Sequence, residues 1–143
     1  MLYRLPDPWV QAFIDGEGMF YNYISEKKTR NNTYLGVDSS LEIAQNSHDV
    51  AVLFAIKFFF DAGYLKPKYN VFYLSECKNS RSVSRFILSD TDKIIKFLDK
   101  YYLLTRKLLD YEDWKKIVAI KKTGAHKTSE GLNLMREIKE RMN

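Results

Sequence analysis

The chain of 143 residues predicts an α+β domain: one antiparallel sheet with its helices gathered on one face. Three observations predict it. Runs of alternating apolar and polar residues come in two pairs, each pair joined through a polar stretch, which is the pattern of two hairpins. Stripes of helical period precede, separate and follow the pairs. No linker, low-complexity tract or internal repeat divides the chain, so residues 1–143 read as a single domain.

The elements follow in order. Asp7 is placed to cap a helix with Pro8 at its first position. That helix runs through Trp9, Val10, Phe13 and Ile14 and stops at Gly16–Gly18. Residues 19–45 form a hairpin whose tip is the polar, basic stretch "KKTRNNT". Ser47 opens a helix over 48–62 that Gly63 closes. "GYLKPKY" and "SVSRFILS" make the second hairpin around a long polar connection, Asn70 to Arg81, and Pro67 assigns its strand to an edge or a bulge. "SDTDKIIKFLDKYY" has capping residues and an apolar stripe of Ile94, Ile95, Phe97 and Leu98, hence a helix. "KLLDYEDWKKIVAIKK" is another, closed by Gly124, and "TSEGLNLMREIKERMN" is a last short helix, acidic first and basic last.

Composition narrows the function classes. Hydrophobic residues make up 45% and aromatics 15%, enough for a core without staples. Cys77 is the sole cysteine, so no internal disulfide exists and a reducing compartment is the simpler expectation. His48 and His126 stand far apart with no second ligand at metal spacing, and both read as surface or capping residues. The apolar run "VAVLFAIKFFF" is broken by Lys57 and is too short to cross a membrane. The N-terminal "MLYRLPDP" carries no secretory or transit pattern. No Ser–His–Asp or Cys–His pattern points to a nucleophilic side chain. A net charge of +5 permits a polyanionic partner.

The sheet faces carry more. Alternate residues of a strand share a side. Phe20, Asn22 and Ile24 fall on the inner side, as do Val37, Leu41, Ile43, Leu65, Phe86 and Leu88; Asn22 is the awkward member. The other side carries Met19, Tyr21, Tyr23, Ser25, Lys27, Asp38, Ser40, Glu42, Tyr64, Lys66, Lys68, Arg85 and Ile87. Donors, acceptors and apolar groups mixed in this way suit base edges in a DNA major groove; a surface made for phosphates alone is more uniformly basic. The same composition also suits an ordinary solvated sheet face.

The segment "VQAFIDGEG" (Val10–Gly18) raises a sharper question. Ala12 lies one turn before Gly16, and small residues at that spacing let two helices approach closely. Gly16 and Gly18 let the chain leave the helix without a Cβ clash. Glu17 then projects past the helix end, where the macrodipole disfavours a carboxylate. A divalent cation would remove that objection, since Mg²⁺ favours one or two carboxylates together with phosphate oxygens and water.

With Met19–Phe20 behind it, this segment resembles the LAGLIDADG motif of homing endonucleases. "LEIAQNS" (Leu41–Ser47) resembles the end of that family's second strand and "SVSRFILS" its fourth; "KLLDYEDWKKIV" and "GAHKTSEGLNLMREIKERMN" resemble the closing helices of one repeat. Gln11 stands where the motif usually has a small residue, Ala12 where it usually has glycine, and Asn22 sits on the core face. The resemblance implies an αββαββα fold with a saddle-shaped sheet. It implies a site-specific, intron-encoded double-strand DNA endonuclease. With one motif per chain, it implies a homodimer on a long near-palindromic site, joined through Trp9, Ala12, Phe13 and Gly16. It implies Glu17 as metal ligand and catalytic acid, Mg²⁺ or in its place Mn²⁺ as the ion, and Gln45 and Lys107 as groups that position or polarise the attacking water. The mixed sheet face becomes the DNA reader. No membrane partner and no small-molecule cofactor are implied; the location is intracellular, a mitochondrial or chloroplast matrix being the family's usual setting. The alternatives are an intron-splicing RNA maturase or a non-cleaving DNA-binding protein on the same fold, and a chain that is one half of a two-motif enzyme.

Overall fold

A computed structural model of the chain describes residues 4–31, 33–66 and 83–142. The elements are α1 (Asp7–Glu17), β1 (Gly18–Lys28), β2 (Thr33–Asn46), a 3₁₀ turn (Ser47–Asp49), α2 (Val50–Phe60), β3 (Tyr64–Lys66), β4 (Val83–Leu88), α3 (Thr91–Lys100), α4 (Lys107–Lys122), a second 3₁₀ turn (Ala125–Lys127) and α5 (Ser129–Arg141). The strands form one four-stranded sheet in the order β1-β2-β4-β3. β4 pairs antiparallel with both β2 and β3. β3 is an edge strand, as expected for the segment leading into Pro67; Pro67 itself and the connection from Asn70 to Arg81 lie outside the described residues.

The chain forms two compact units. The first comprises Met1–Met19 with Leu41–Leu103, the second Phe20–Ser40 with Leu104–Asn143.

In the first unit, Val10 and Ile14 of α1 are fully buried, as are Leu41, Ile43, Leu53, Ile56, Phe86, Leu88 and Ile94. The inner row of the sheet is therefore the apolar row that alternation predicts: Ile43 faces Phe86, and Phe86 faces Leu65. Phe59, Phe60 and Phe97 meet edge to face, with ring centroids 5.1 to 5.6 Å apart. α2 ends at Asp61, which adopts the left-handed conformation with φ 51°. The Lys93 ammonium donates to the Phe60 and Asp61 carbonyls, both at 3.1 Å, satisfying acceptors that a helix end leaves unpaired. Gly63, at φ 93°, lies so close to the Phe86 ring that a Cβ there would come within 2.4 Å of it.

Asp7 does not cap α1. The cap position is Pro6 and no side chain caps the helix. Asp7 instead accepts a hydrogen bond from the Tyr101 hydroxyl at 2.7 Å and sits 3.6 Å from the Arg4 guanidinium. That phenol is held above its ordinary range, first by the hydrogen bond to Asp7. A long-range partner has taken the oxygen that local geometry would have aimed at the backbone.

The second unit is built on Trp114 and Tyr111. Phe20 packs against both rings at 5.4 and 5.3 Å, and the Trp114 indole N–H donates to the Tyr21 carbonyl at 3.0 Å. Val37, Ile117, Met135 and Ile138 form a further buried cluster joined by Ile24, Ile120 and Met142. Asn22 fits this apolar side because its polar atoms are paired: Ser39 Oγ donates to Asn22 Oδ1 at 2.5 Å, and Asn22 Nδ2 lies 3.6 Å from Met142 Sδ. Ser39 supplies the compensation that burial of an amide requires.

The two motif glycines do different work. α1 continues through Gly16 to Glu17, and a Cβ on Gly16 would meet nothing within 4 Å. A Cβ on Gly18 would lie 2.8 Å from the Ile14 carbonyl oxygen and 3.2 Å from Leu41 Cδ1. Gly18 alone is thus required for the exit from the helix. Gly18→Ala is expected to cost about 1–3 kcal/mol by overpacking, read as a lowered denaturation midpoint; an unchanged midpoint would show that α1 can shift freely away from β2.

Candidate functional site

Glu17 is the last residue of α1. Its side chain is exposed and makes no hydrogen bond or ion pair among the described residues. The backbone N–H of Gly18 closes the helix on the Ile14 carbonyl. Because Gly18 abuts Leu41, the carboxylate is delivered where β1 leaves α1 beside β2. Gln45, also in the first unit, stands further along β2, about 13 Å of extended chain beyond Leu41. It is half-buried and opposite the fully buried Ser84. Ser84 in turn shares a hydrogen bond of 2.9 Å with Ser47, which fixes the end of the strand.

Lys107 belongs to the second unit. It begins α4, its N–H accepted by Thr105 Oγ1 at 3.2 Å. Its side chain lines a surface cleft of about 620 Å³ with Arg106, Asp110, Asp113, Lys116 and Arg141. Asp113 there holds Arg141 at 3.2 Å and Lys116 at 3.5 Å.

The face of α1 directed away from Val10 and Ile14 carries the candidate interface residues. Trp9 stacks on Phe13 at 4.9 Å and remains 41% exposed; Ala12 and Gly16 are exposed beside them. Gln11 turns from this face and donates to the Tyr102 carbonyl. The large residue at the second motif position is thereby taken up within the chain. Tyr102 itself is exposed, in the irregular segment that follows α3.

On the outward side of the sheet in the first unit, Glu42, Ile87 and Tyr64 form one row across β2, β4 and β3, and Ala44, Arg85 and Lys66 form the next. Arg85, Lys66 and Tyr64 are exposed. Glu42 and Ile87 are only 8% exposed each, where alternation alone predicts an open surface. Directly opposed residues of an antiparallel pair stand about 5 Å apart at Cβ, so each covers the other. In the second unit Tyr21 and Tyr23 stack at 5.6 Å, with Tyr23, Ser25 and Asp38 exposed and Ser40 closed off. Lys68 and the side chain of Lys27 lie outside the described residues.

Burial pushes the Glu42 carboxyl above its ordinary value of 4.5, against the pull of the Arg85 and Lys66 charges. A carboxyl raised in the folded state holds its proton more tightly there than in the unfolded chain. Stability is therefore full below the unfolded pKa and falls as pH climbs from there through the folded value. Glu42→Gln is expected to add about 1 kcal/mol at neutral pH and almost nothing near pH 4. Thermal melts of both proteins at the two pH values check this; equal melting temperatures at neutral pH would mean the carboxylate is well solvated.

Among the described residues no three His, Cys, Asp or Glu side chains converge to hold a metal ion. An exposed single carboxylate at a helix end fits a shared divalent site, in which a second acid and phosphate oxygens complete the shell. It does not fit a cage built from one chain.

Residues 12–118 match the sequence model of the LAGLIDADG endonuclease family. The chain belongs to that family. Two Neurospora crassa proteins described as probable intron-encoded endonucleases 2 and 3 are each 31% identical to it, over 92% and 96% of the chain. The chain spans about a quarter of the length of either, 26% and 25%. The crystal structure of the homing endonuclease I-TnaI superposes with a TM-score of 0.83 at 28% identity, covering 99% of this chain and 90% of that one. The meganuclease I-SmaMI, bound to uncleaveable DNA, superposes at 0.79 with 26% identity, and there 99% of this chain covers 45% of the other. The LAGLIDADG fold is thus the α+β arrangement that the sequence predicts, and Glu17 is the acid between its motif glycines. No helix among the described residues is long and apolar enough to cross a membrane.

Proposed function

We propose that this chain is a site-specific double-strand DNA endonuclease of the homing type, working as a homodimer on a near-palindromic site. The observation that carries the reading is the placement of Glu17. A carboxylate that is exposed and, among the described residues, unpaired ends a helix whose neighbouring surface is apolar at Trp9 and Phe13 and small at Ala12 and Gly16. That combination suits two copies of α1 side by side, each contributing one acid at the two-fold axis. The residues given match nearly all of I-TnaI and less than half of I-SmaMI, so they correspond to one such unit. DNA in the I-SmaMI structure supports a duplex as the partner.

In the mechanism that follows, the two Glu17 carboxylates face the scissile phosphates and would together hold a divalent cation, Mg²⁺ or Mn²⁺. Bound there, such an ion supplies charge neutralisation at the phosphate and a water of lowered pKa. Without it the Glu17 carboxylate and the phosphodiester repel each other, and the helix C-terminus adds to that repulsion. Gln45 holds and orients the attacking water through its amide. Lys107 contributes a positive charge that favours the developing negative charge on phosphate oxygens. The outward sheet residues Tyr21, Tyr23, Ser25, Asp38, Ser40, Glu42, Lys66, Arg85 and Ile87, together with Lys27 and Lys68 as the sequence pattern assigns them, choose the sequence from the major groove; two-fold symmetry of the protein requires two-fold symmetry of the site.

The test is incubation of the protein and Mg²⁺ with a randomised pool of palindromic duplexes, followed by sequencing of the cut products. A single enriched family, cut on both strands, is the expected outcome. Specific RNA binding with no cut duplex would instead favour a maturase or another non-cleaving binder and would end the nuclease reading.

A further inference from the structure

Asp7 and Gln11 stand one turn apart on α1, so their side chains leave the same face of the helix. They grip consecutive residues. The Tyr101 hydroxyl donates to Asp7 Oδ2 at 2.7 Å, and Gln11 Nε2 donates to the Tyr102 carbonyl. Only the amide nitrogen of the glutamine can serve there, because a backbone carbonyl solely accepts. Leu103, next along, is 1% exposed, whereas Leu104 is 85% exposed. The chain is thus held at three successive residues and open to solvent at the fourth.

These residues have no helix of their own: α3 ends at Lys100 and α4 begins at Lys107. Outside regular structure, backbone carbonyls must find other donors. Gln11 is such a donor, and an apolar small residue at the second motif position would offer none. The departure from the motif therefore has a use. Gln11 and Glu17 share one rigid helix, about 9 Å apart along its axis. Lys107 follows Leu103 by four residues, at most about 14 Å of extended chain. The helix that delivers Glu17 at its end thus holds, from its middle, the chain that leads into Lys107. The pull of a lysine charge on a phosphate oxygen falls with distance. Misplacing a group at the reacting centre by about 1 Å costs on the order of a hundredfold in rate.

We infer that Gln11 is a positioning residue for cleavage: its hydrogen bond to the Tyr102 carbonyl sets where Lys107 stands. This rests on the roles proposed above for Glu17 and Lys107. Gln11 acts through Lys107 and not on the phosphate.

Two measurements test it. The first needs no DNA. In Gln11→Met, nearly isosteric but without a donor, the amides of residues 103–106 should exchange hydrogen about tenfold faster, while those of α3 keep their wild-type rates. The second is a double-mutant cycle on single-turnover cutting of the selected duplex. Gln11→Met is expected to slow cutting about 10- to 100-fold, with gel-shift affinity within about threefold of wild type. Lys107→Ala slows it as well, and the double variant cuts no more slowly than Lys107→Ala alone. A merely structural loss would multiply with that of Lys107. Gln11→Glu, which keeps the shape and turns the donor into an acceptor, should behave as Gln11→Met does, so a folding failure of either variant leaves the other to decide. Unchanged exchange, or rate losses that multiply, overturns the inference. A wild type that cuts no duplex, or a Lys107→Ala that cuts at the wild-type rate, removes instead the nuclease reading or the role of Lys107, and the positioning role falls with it; the exchange rates then still report whether Gln11 holds the segment.

Discussion

Glu17→Gln is expected to leave site binding intact and to reduce cleavage of the same duplex by roughly a thousandfold, the few kcal/mol that a Lewis-acid cation contributes to a phosphoryl transition state. The substitution is nearly isosteric, and the side chain makes no hydrogen bond or ion pair among the described residues, so folding has nothing to lose. Binding without divalent ions should tighten slightly, because the substitution removes the two negative charges that the proposed dimer places next to phosphates. Cleavage and affinity thus move in opposite directions, which a damaged fold could not produce. Gel-shift titration and single-turnover cutting on one duplex separate the two quantities. A variant that still cuts at a comparable rate would transfer the acid's role elsewhere.

Much of this framework was legible in the sequence because its signals are local. Period-two alternation marked β1 and β2 within a residue or two, and the inner row Leu41, Ile43, Phe86, Leu88 is the buried row. Asn22 is an awkward polar residue on the inner side, and its explanation, Ser39, lies on β2 at the same inner side. What could not be read depends on which distant elements meet. Asp7 has the sequence context of a helix cap, yet its oxygen goes to Tyr101, 94 positions away. A second hairpin can place either of its strands next to the first; the order β1-β2-β4-β3 puts the later strand inside and leaves β3 on the edge. That choice sets the register in which Glu42 faces Ile87, and the register closes a carboxylate that alternation alone would leave in water. The candidate site shows the same division. Glu17 stands out from its own neighbours, whereas Gln45 and Lys107 carry no local peculiarity, and their proposed roles rest on family membership.

The division of labour between the motif glycines leads to the second large effect. Gly18 is needed by the fold, since its missing Cβ makes room for Ile14 and Leu41. Gly16 is not: the space around it is open within the chain, and it occupies the last turn of a helix, where glycine is a poor choice. Replacing it with a larger, better helix former should therefore leave the isolated chain as stable as before or more so, by up to about 1 kcal/mol. Gly16→Gln is expected to do this and, on the proposed assembly, to abolish dimerisation, because a side chain there would stand between the two copies of α1 that the proposal packs closely. Loss of the dimer makes each half-site bind alone, and affinity for the full palindrome should fall by about a hundred- to ten-thousandfold. Sedimentation with and without duplex, beside a thermal melt, measures both halves of the expectation. A rise in melting temperature with loss of the dimer would assign Gly16 to the partner and not to the fold. A variant that melts as before and still pairs on DNA would mean that two copies of this chain do not meet through α1, and that the acids must be brought together by some other surface.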